Sequence, residues 1–250
     1  DPGLMESIER EEQERGLDPQ LVRHLKHEPI RIKIRHMQAH LGEPGYTAAE
    51  FVEDLRTLQG ALRHAGLREA ADRGLLADAI VRARTFGFHL AALDIRQHSR
   101  VHEQAVDEML RIAGAAPSYA SLDEAGRMQA LRRELATSRP LLGRGAAVSA
   151  ETRELLDSLA VFAEAAEREP ESVGSYVVSM AHQASDVMEV LILLREAGLW
   201  RIDGEEIRCP IDVAPLFETV DDLTGAAGVM KGLFNDPVYR AQLRARGGFQ

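Results

Sequence analysis

The sequence predicts a helix-rich α/β protein built on a parallel sheet covered by helices. Three segments carry this: the run ending Leu93-Asp94-Ile95-Arg96, the run Ser175-Tyr176-Val177-Val178-Ser179-Met180, and the run Ile211-Asp212-Val213-Ala214-Pro215-Leu216-Phe217. Each is almost continuously apolar, and helical sequence follows each one. Strands that are apolar on both faces and alternate with helices belong to parallel sheets with helices packed on them.

The elements follow in order. From residue 20 to about 41, Leu21, Leu25, Ile30, Ile34, Met37 and Leu41 recur at helical spacing; after a break at 42–45, Phe51, Leu55, Leu58 and Leu62 repeat it. Residues 70–84 continue as helix. The run from Phe86 to Arg96 then changes character, and its later part reads as a buried strand. Residues 100–169 return to Ala-, Leu-, Arg- and Glu-rich helix, broken near 114–117 and 139–147. The second strand leads through a turn into a helix over 186–197, whose Val187, Val190, Leu191 and Leu194 form an apolar stripe stopped by Gly198. The third runs into Glu218 and a helix beginning near Val220. Asp203-Gly204, between Ile202 and Ile207, is a turn signal.

Composition bounds the function. With 45% hydrophobic and 28% charged residues the chain has material for a substantial core, and a formal charge of −10 argues against a nucleic-acid partner. No apolar run approaches the roughly 20 residues that cross a bilayer, so no membrane partner is expected. The single cysteine, Cys209, excludes an internal disulfide and a CxxC metal cluster, which fits the reducing cytoplasm. Neither a P-loop nor a GxGxxG motif is present. The chain opens on Asp1-Pro2-Gly3 and closes on Gly247-Gly248-Phe249-Gln250, and it reads as an internal piece of something longer.

In parallel sheets of this kind chemistry gathers at the carboxyl ends of the strands. The polar groups there are Asp94 and Arg96, Ser179 and Ser185, and Glu218. Arg96 offers a planar, permanently charged fork suited to a phosphate or carboxylate; the same position suits a structural pair with Asp94 or a neighbouring strand's acid. Glu218 suits a hard cation such as Mg²⁺ or Mn²⁺, and equally suits capping of the next helix. His36/His40 and His98/His102 each stand four apart, as metal-binding helix pairs do, but neither has the Glu of HExxH and surface histidines explain them better. Ser185-Asp186 lacks a Gly-x-Ser-x-Gly elbow and reads as a helix N-cap.

Three segments together resemble phosphoenolpyruvate carboxylases. They are Thr85-Phe86-Gly87 leading to Leu93-Asp94-Ile95-Arg96-Gln97; Ser175 to Ala181 with Ser185-Asp186-Val187; and Ala214-Pro215-Leu216-Phe217-Glu218-Thr219 with Asp221-Asp222-Leu223. Weaker agreement at Glu28-Pro29-Ile30-Arg31, around Glu134-Leu135 and Arg139-Pro140-Leu141, and at Tyr239-Arg240 extends it over nearly the whole chain. The resemblance implies part of a TIM-type (β/α)8 barrel with large helical insertions: a helical segment over 1–84, a barrel strand with its phosphate motif over 85–99, a helical insertion over 100–173, and two further strand-helix units over 174–250. It implies conversion of phosphoenolpyruvate and bicarbonate to oxaloacetate and phosphate, with Mg²⁺ or Mn²⁺, by a cytoplasmic homotetramer. Arg96 then holds the substrate phosphate as a catalytic group, and Glu218 is one of two metal carboxylates. The family's Thr-Ala-His-Pro-Thr and Gly-Tyr-Ser-Asp-Ser motifs and its glycine- and arginine-rich loop are absent from these 250 residues, and His98 stands where the family commonly has Glu. The piece alone is therefore expected to be inactive. The competing readings are another barrel lyase acting on phosphoenolpyruvate or pyruvate, and a helical interaction module without chemistry.

Overall fold

The computed structural model describes residues 1–43, 45–143, 145–204 and 206–248; Phe249 and Gln250 of the expected cut end lie outside them. The chain divides into two compact units, 1–91 and 92–250.

The first unit is helical: α1 (Pro2–Arg15), α2 (Pro19–His24), α3 (Pro29–His40), α4 (Ala48–His64), α5 (Arg68–Asp72) and α6 (Leu75–Phe86). Proline opens the first three, where its missing N–H costs nothing. The continuous helix expected from 20 to 41 is interrupted because Pro29 disfavours helical backbone at Glu28. Its inward face also differs. Ile32, Lys33, His36 and Met37 are buried, whereas Ile34 and Leu41 are exposed, so α3 turns a partly polar stripe to its neighbours. Helix α4 starts on a reciprocal cap, with the Glu50 amide donating to the Thr47 hydroxyl and the Thr47 amide to the Glu50 carboxylate. Leu4, Ile8, Leu25, Val52, Leu55, Leu58, Ile80 and Ala83 make this unit's apolar core.

The second unit carries β1 (Leu93–His98), α7 (Ser99–Ile112), α8 (Glu124–Leu135), α9 (Ala150–Arg168), β2 (Val173–Ser179), α10 (Ala184–Glu196), β3 (Arg201–Asp203), β4 (Glu206–Arg208), β5 (Val213–Pro215), α11 (Val220–Asn235) and α12 (Pro237–Ala245). β1 and β5 flank β2 in one parallel sheet, and β3 and β4 form a small antiparallel hairpin. The expected turn at Asp203-Gly204 thus joins two short strands, with Gly204 at φ +63°. The fold is helix-rich α/β with a parallel sheet.

Two expectations change here. β1 is an edge strand with no buried residue, where the sequence suggested a buried one. Helix α10 is apolar over more than a stripe: Ser185 to Arg195 are all buried, as in a helix enclosed on every side. Its side chains join those of α7, α8, α9 and the sheet in one core containing Val106, Leu110, Leu131, Leu159, Tyr176, Leu191 and Trp200.

Candidate functional site

Parallel pairing places the carboxyl ends of β1 and β2 together, with Arg96 beside Val177 and His98 beside Ser179. The pairing of β2 with β5 runs on past β5, through the Leu216 amide to the Val178 carbonyl and the Ala181 amide to the Leu216 carbonyl, which delivers Glu218 to the same end. Arg96 and Glu218 form an ion pair through Nη2 and Oε1. Ser179 sits between them: its hydroxyl accepts from Arg96 Nη2 at 3.1 Å and donates to Glu218 Oε2 at 3.1 Å. The Arg96 side chain is 58% exposed and that of Glu218 27%, so a solvent-borne ligand can reach both.

The alternatives for these residues resolve as geometry. Of the two structural pairings open to Arg96, the one with another strand's acid forms, to Glu218 past β5, and the one with Asp94 does not; Asp94 Oδ1 accepts from the Ser175 amide at 2.7 Å and ties β1 to the start of β2. Gly174 leaves room for this contact, because a Cβ there would stand 2.1 Å from that carboxylate oxygen and displace the Asp94 side chain. Glu218 does not cap α11. Thr219 is the cap, its hydroxyl accepting from the Asp222 amide while Asp222 accepts from the Thr219 amide, each at 3.1 Å. Asp222 also meets His182 Nδ1 at 2.5 Å, and hydrogen bonds from His182 and Thr219 hold its carboxyl below the usual range. Just past Ser179, Met180 adopts a left-handed backbone (φ +55°), which costs a non-glycine residue roughly 1–2 kcal/mol. Its carbonyl accepts from the Ser99 hydroxyl at 2.7 Å. Strain of this kind gathers where structure holds a functional end in place.

Neither histidine pair is a metal pair. His36 and His102 are buried, which corrects the expectation of surface histidines. His36 lies 2.9 Å from Glu12 Oε1. His98 accepts from the Arg100 amide at 3.1 Å and caps α7, while His102 Nε2 meets the Tyr176 hydroxyl at 2.8 Å behind the sheet. Of Ser185-Asp186 it is Asp186 that caps α10, its carboxylate receiving the His182 and Gln183 amides, while the Ser185 hydroxyl donates to Glu124 at 2.6 Å.

The sequence model of phosphoenolpyruvate carboxylase matches residues 5–250. The chain belongs to the phosphoenolpyruvate carboxylase family. It is 45% identical to the phosphoenolpyruvate carboxylase of Rhodothermus marinus over 92% of this chain and 27% of that protein. With that of Mycobacterium avium (strain 104) it shares 44% identity over 84% of this chain and 23% of the relative, and with that of Nitrosomonas eutropha 38% over 86% and 23%. The chain thus spans about a quarter of the length of the curated carboxylases it matches.

The support behind the site titrates. Burial pushes the His102 imidazole down to about 3 from its ordinary 6.5, so the folded state holds it neutral. Stability from this group is present above pH 6.5 and is lost as pH falls toward 3, by up to about 1.4 kcal/mol per pH unit. Glu189 works in the opposite sense. Burial raises its carboxyl well above 4.5, and the Tyr119 hydroxyl donates to its Oε1 at 2.7 Å. Stability from Glu189 is present below pH 4.5 and is lost as pH rises through the raised value. Denaturant unfolding across pH 3–9 is expected to show the acid-side slope reduced in His102→Gln and the alkaline-side slope reduced in Glu189→Gln. Unchanged slopes in both variants would contradict these assignments.

Proposed function

We propose that this chain supplies the phosphate-holding arginine and one metal carboxylate of a phosphoenolpyruvate carboxylase site, on three strands of a TIM-type barrel. In this reading a helical segment over 1–84 precedes the barrel strand and phosphate motif of 85–99, a helical insertion occupies 100–173, two further strand-helix barrel units fill 174–250, and the full-length enzyme is a cytoplasmic homotetramer. The observation that carries the reading is the meeting of Arg96 and Glu218 over Ser179 at the carboxyl end of a parallel sheet, where such folds do their chemistry.

The reaction joins phosphoenolpyruvate and bicarbonate. A bicarbonate oxygen attacks phosphorus and the bond from phosphorus to the enol oxygen breaks, giving carboxyphosphate and the enolate of pyruvate. The enolate carbon then attacks the carboxyl carbon, directly or as released CO₂, leaving oxaloacetate and phosphate. Arg96 exchanges its bond to Glu218 for the substrate phosphate and balances charge on the transferring group. The exchange costs little, since an exposed ion pair is worth roughly 0.2–1 kcal/mol. Ser179 keeps both side chains at the strand ends while they change partners. Glu218, once released, offers the oxygen donors that hard cations take, so it fits Mg²⁺ or Mn²⁺, which use one or two carboxylates together with water and substrate oxygens. Bound there, such an ion supplies Lewis-acid stabilisation of developing negative charge.

The test is bicarbonate-dependent oxaloacetate formation coupled to malate dehydrogenase. The 250-residue chain is expected to give no turnover, and a full-length family enzyme containing this segment to give turnover that both Arg96→Gln and Glu218→Gln lower by about a hundredfold or more. Full activity in either full-length variant would overturn the site assignment.

A further inference from the structure

We propose a second cation site, in the helical unit and separate from Glu218, in which Glu11, His40 and Asp54 bind one zinc-like divalent ion. One ligand-capable atom from each of these residues lies within 4.8 Å of the others. They line a cavity of about 300 Å³ whose wall also includes Glu14, Glu50 and Glu53. Five carboxylates therefore face it against one lining arginine, Arg10, and Lys33 beneath adds one further positive charge.

The second observation is an unfilled oxygen. Glu11 is 95% buried by its 5% exposure, and its Oε1 accepts from Lys33 Nζ at 2.5 Å, yet Oε2 has no hydrogen-bond partner among the described residues. Lys33 cannot serve it, because its three N–H donors are already directed at Ser7, Glu11 Oε1 and Asp54 Oδ1. A buried carboxylate oxygen without a partner is costly, and a cation in the cavity that Glu11 lines removes the cost. Asp54 accepts from Lys33 and from the Tyr46 hydroxyl at 2.6 Å, one bond per oxygen, which leaves lone pairs for an ion. His40 closes α3, half-exposed at the cavity, its ring edge-on to Tyr46 with centroids 5.3 Å apart.

The donor set selects the ion. One imidazole and two carboxylates with room for water are the ligands of an open, four-coordinate zinc-type centre, whereas Mg²⁺ prefers oxygen alone. Tetrahedral ligands about 2.0–2.2 Å from such an ion stand about 3.4 Å apart, so side-chain rotations of about an ångström suffice.

The experiment strips the 250-residue chain with a chelator and titrates it with ZnSO₄, reading heat, thermal midpoint and the His40 ring ¹⁵N shift. One equivalent is expected, raising the midpoint and moving that ring signal. His40→Gln, a change at a half-exposed helix end, is expected to weaken binding by at least the roughly 10–100-fold that loss of even an outer metal partner causes. Glu11→Gln is expected to do the same, with circular dichroism reporting whether the helices persist. Glu218→Gln leaves zinc binding unchanged, which keeps this test independent of the carboxylase reading. Absent zinc binding, equal binding in His40→Gln, loss confined to Glu218→Gln, or uptake of a diamine in place of zinc would each overturn the proposal.

Discussion

Arg96→Gln in a full-length family enzyme is expected to lower kcat by about a hundredfold to a thousandfold, the effect typical of losing one donor to developing charge in a preorganised site. The side chain stands at a strand end with its guanidinium fixed by Ser179 and Glu218, so its removal takes away position as well as charge. Arg96→Lys separates the two contributions. Lysine keeps the charge but has no planar fork, so it recovers part of the loss only. Steady-state kinetics in phosphoenolpyruvate and bicarbonate measure this, and a lysine variant equal to wild type would mean that the bidentate geometry is irrelevant.

The largest stability effect is expected at Lys33. Its ammonium is fully buried and bonded to Ser7, Glu11 and Asp54, with the two carboxylates almost as enclosed. Lys33→Met leaves two buried negative charges without their counter-charge, and breaking a buried pair in this way costs about 3–5 kcal/mol. Replacing all three together, as Lys33→Met with Glu11→Gln and Asp54→Asn, removes the unbalanced charges and is expected to recover much of that cost. Amide exchange in α3 and α4 reports it locally. A Lys33→Met chain as protected there as wild type would show that the cluster contributes nothing to the fold.

The sheet-forming runs were legible because each is largely apolar and each ends in a polar or charged group, Arg96, Ser179 and Glu218; the order of strand and helix then specified a parallel sheet, and with it the end at which Arg96 and Glu218 meet. Other features were not legible for particular reasons. The length of apolar sequence before Arg96 suggested burial, but β1 lies at the sheet's edge and its outward side chains have no layer over them among the described residues. Ser179 could be named as a strand-end polar group, yet nothing local to Val177-Val178-Ser179 says that it links residues 83 positions before and 39 positions after it. Glu218 and Thr219 both suit a helix start, and only backbone geometry gives the cap to Thr219. The Lys33 cluster had a signal. Ile30, Lys33 and Met37 share a helical face, and a lysine set among apolar neighbours on an inward face needs buried acids, which Glu11 and Asp54 provide.

In the proposed site Arg96, the phosphate group, and Glu218, the metal group, hold one another when no ligand is bound. Inorganic phosphate binding to the 250-residue chain without divalent metal, followed by ³¹P line broadening at millimolar phosphate, tests it most directly. Glu218→Gln frees Arg96 from its partner and removes a repelling charge, so phosphate binding is expected to tighten by about 1.4- to fivefold, matching the roughly 0.2–1 kcal/mol of an exposed pair. Arg96→Gln is expected to abolish the broadening. Phosphate binding that survives Arg96→Gln, or that weakens in Glu218→Gln, would show that the pair does not guard a phosphate site.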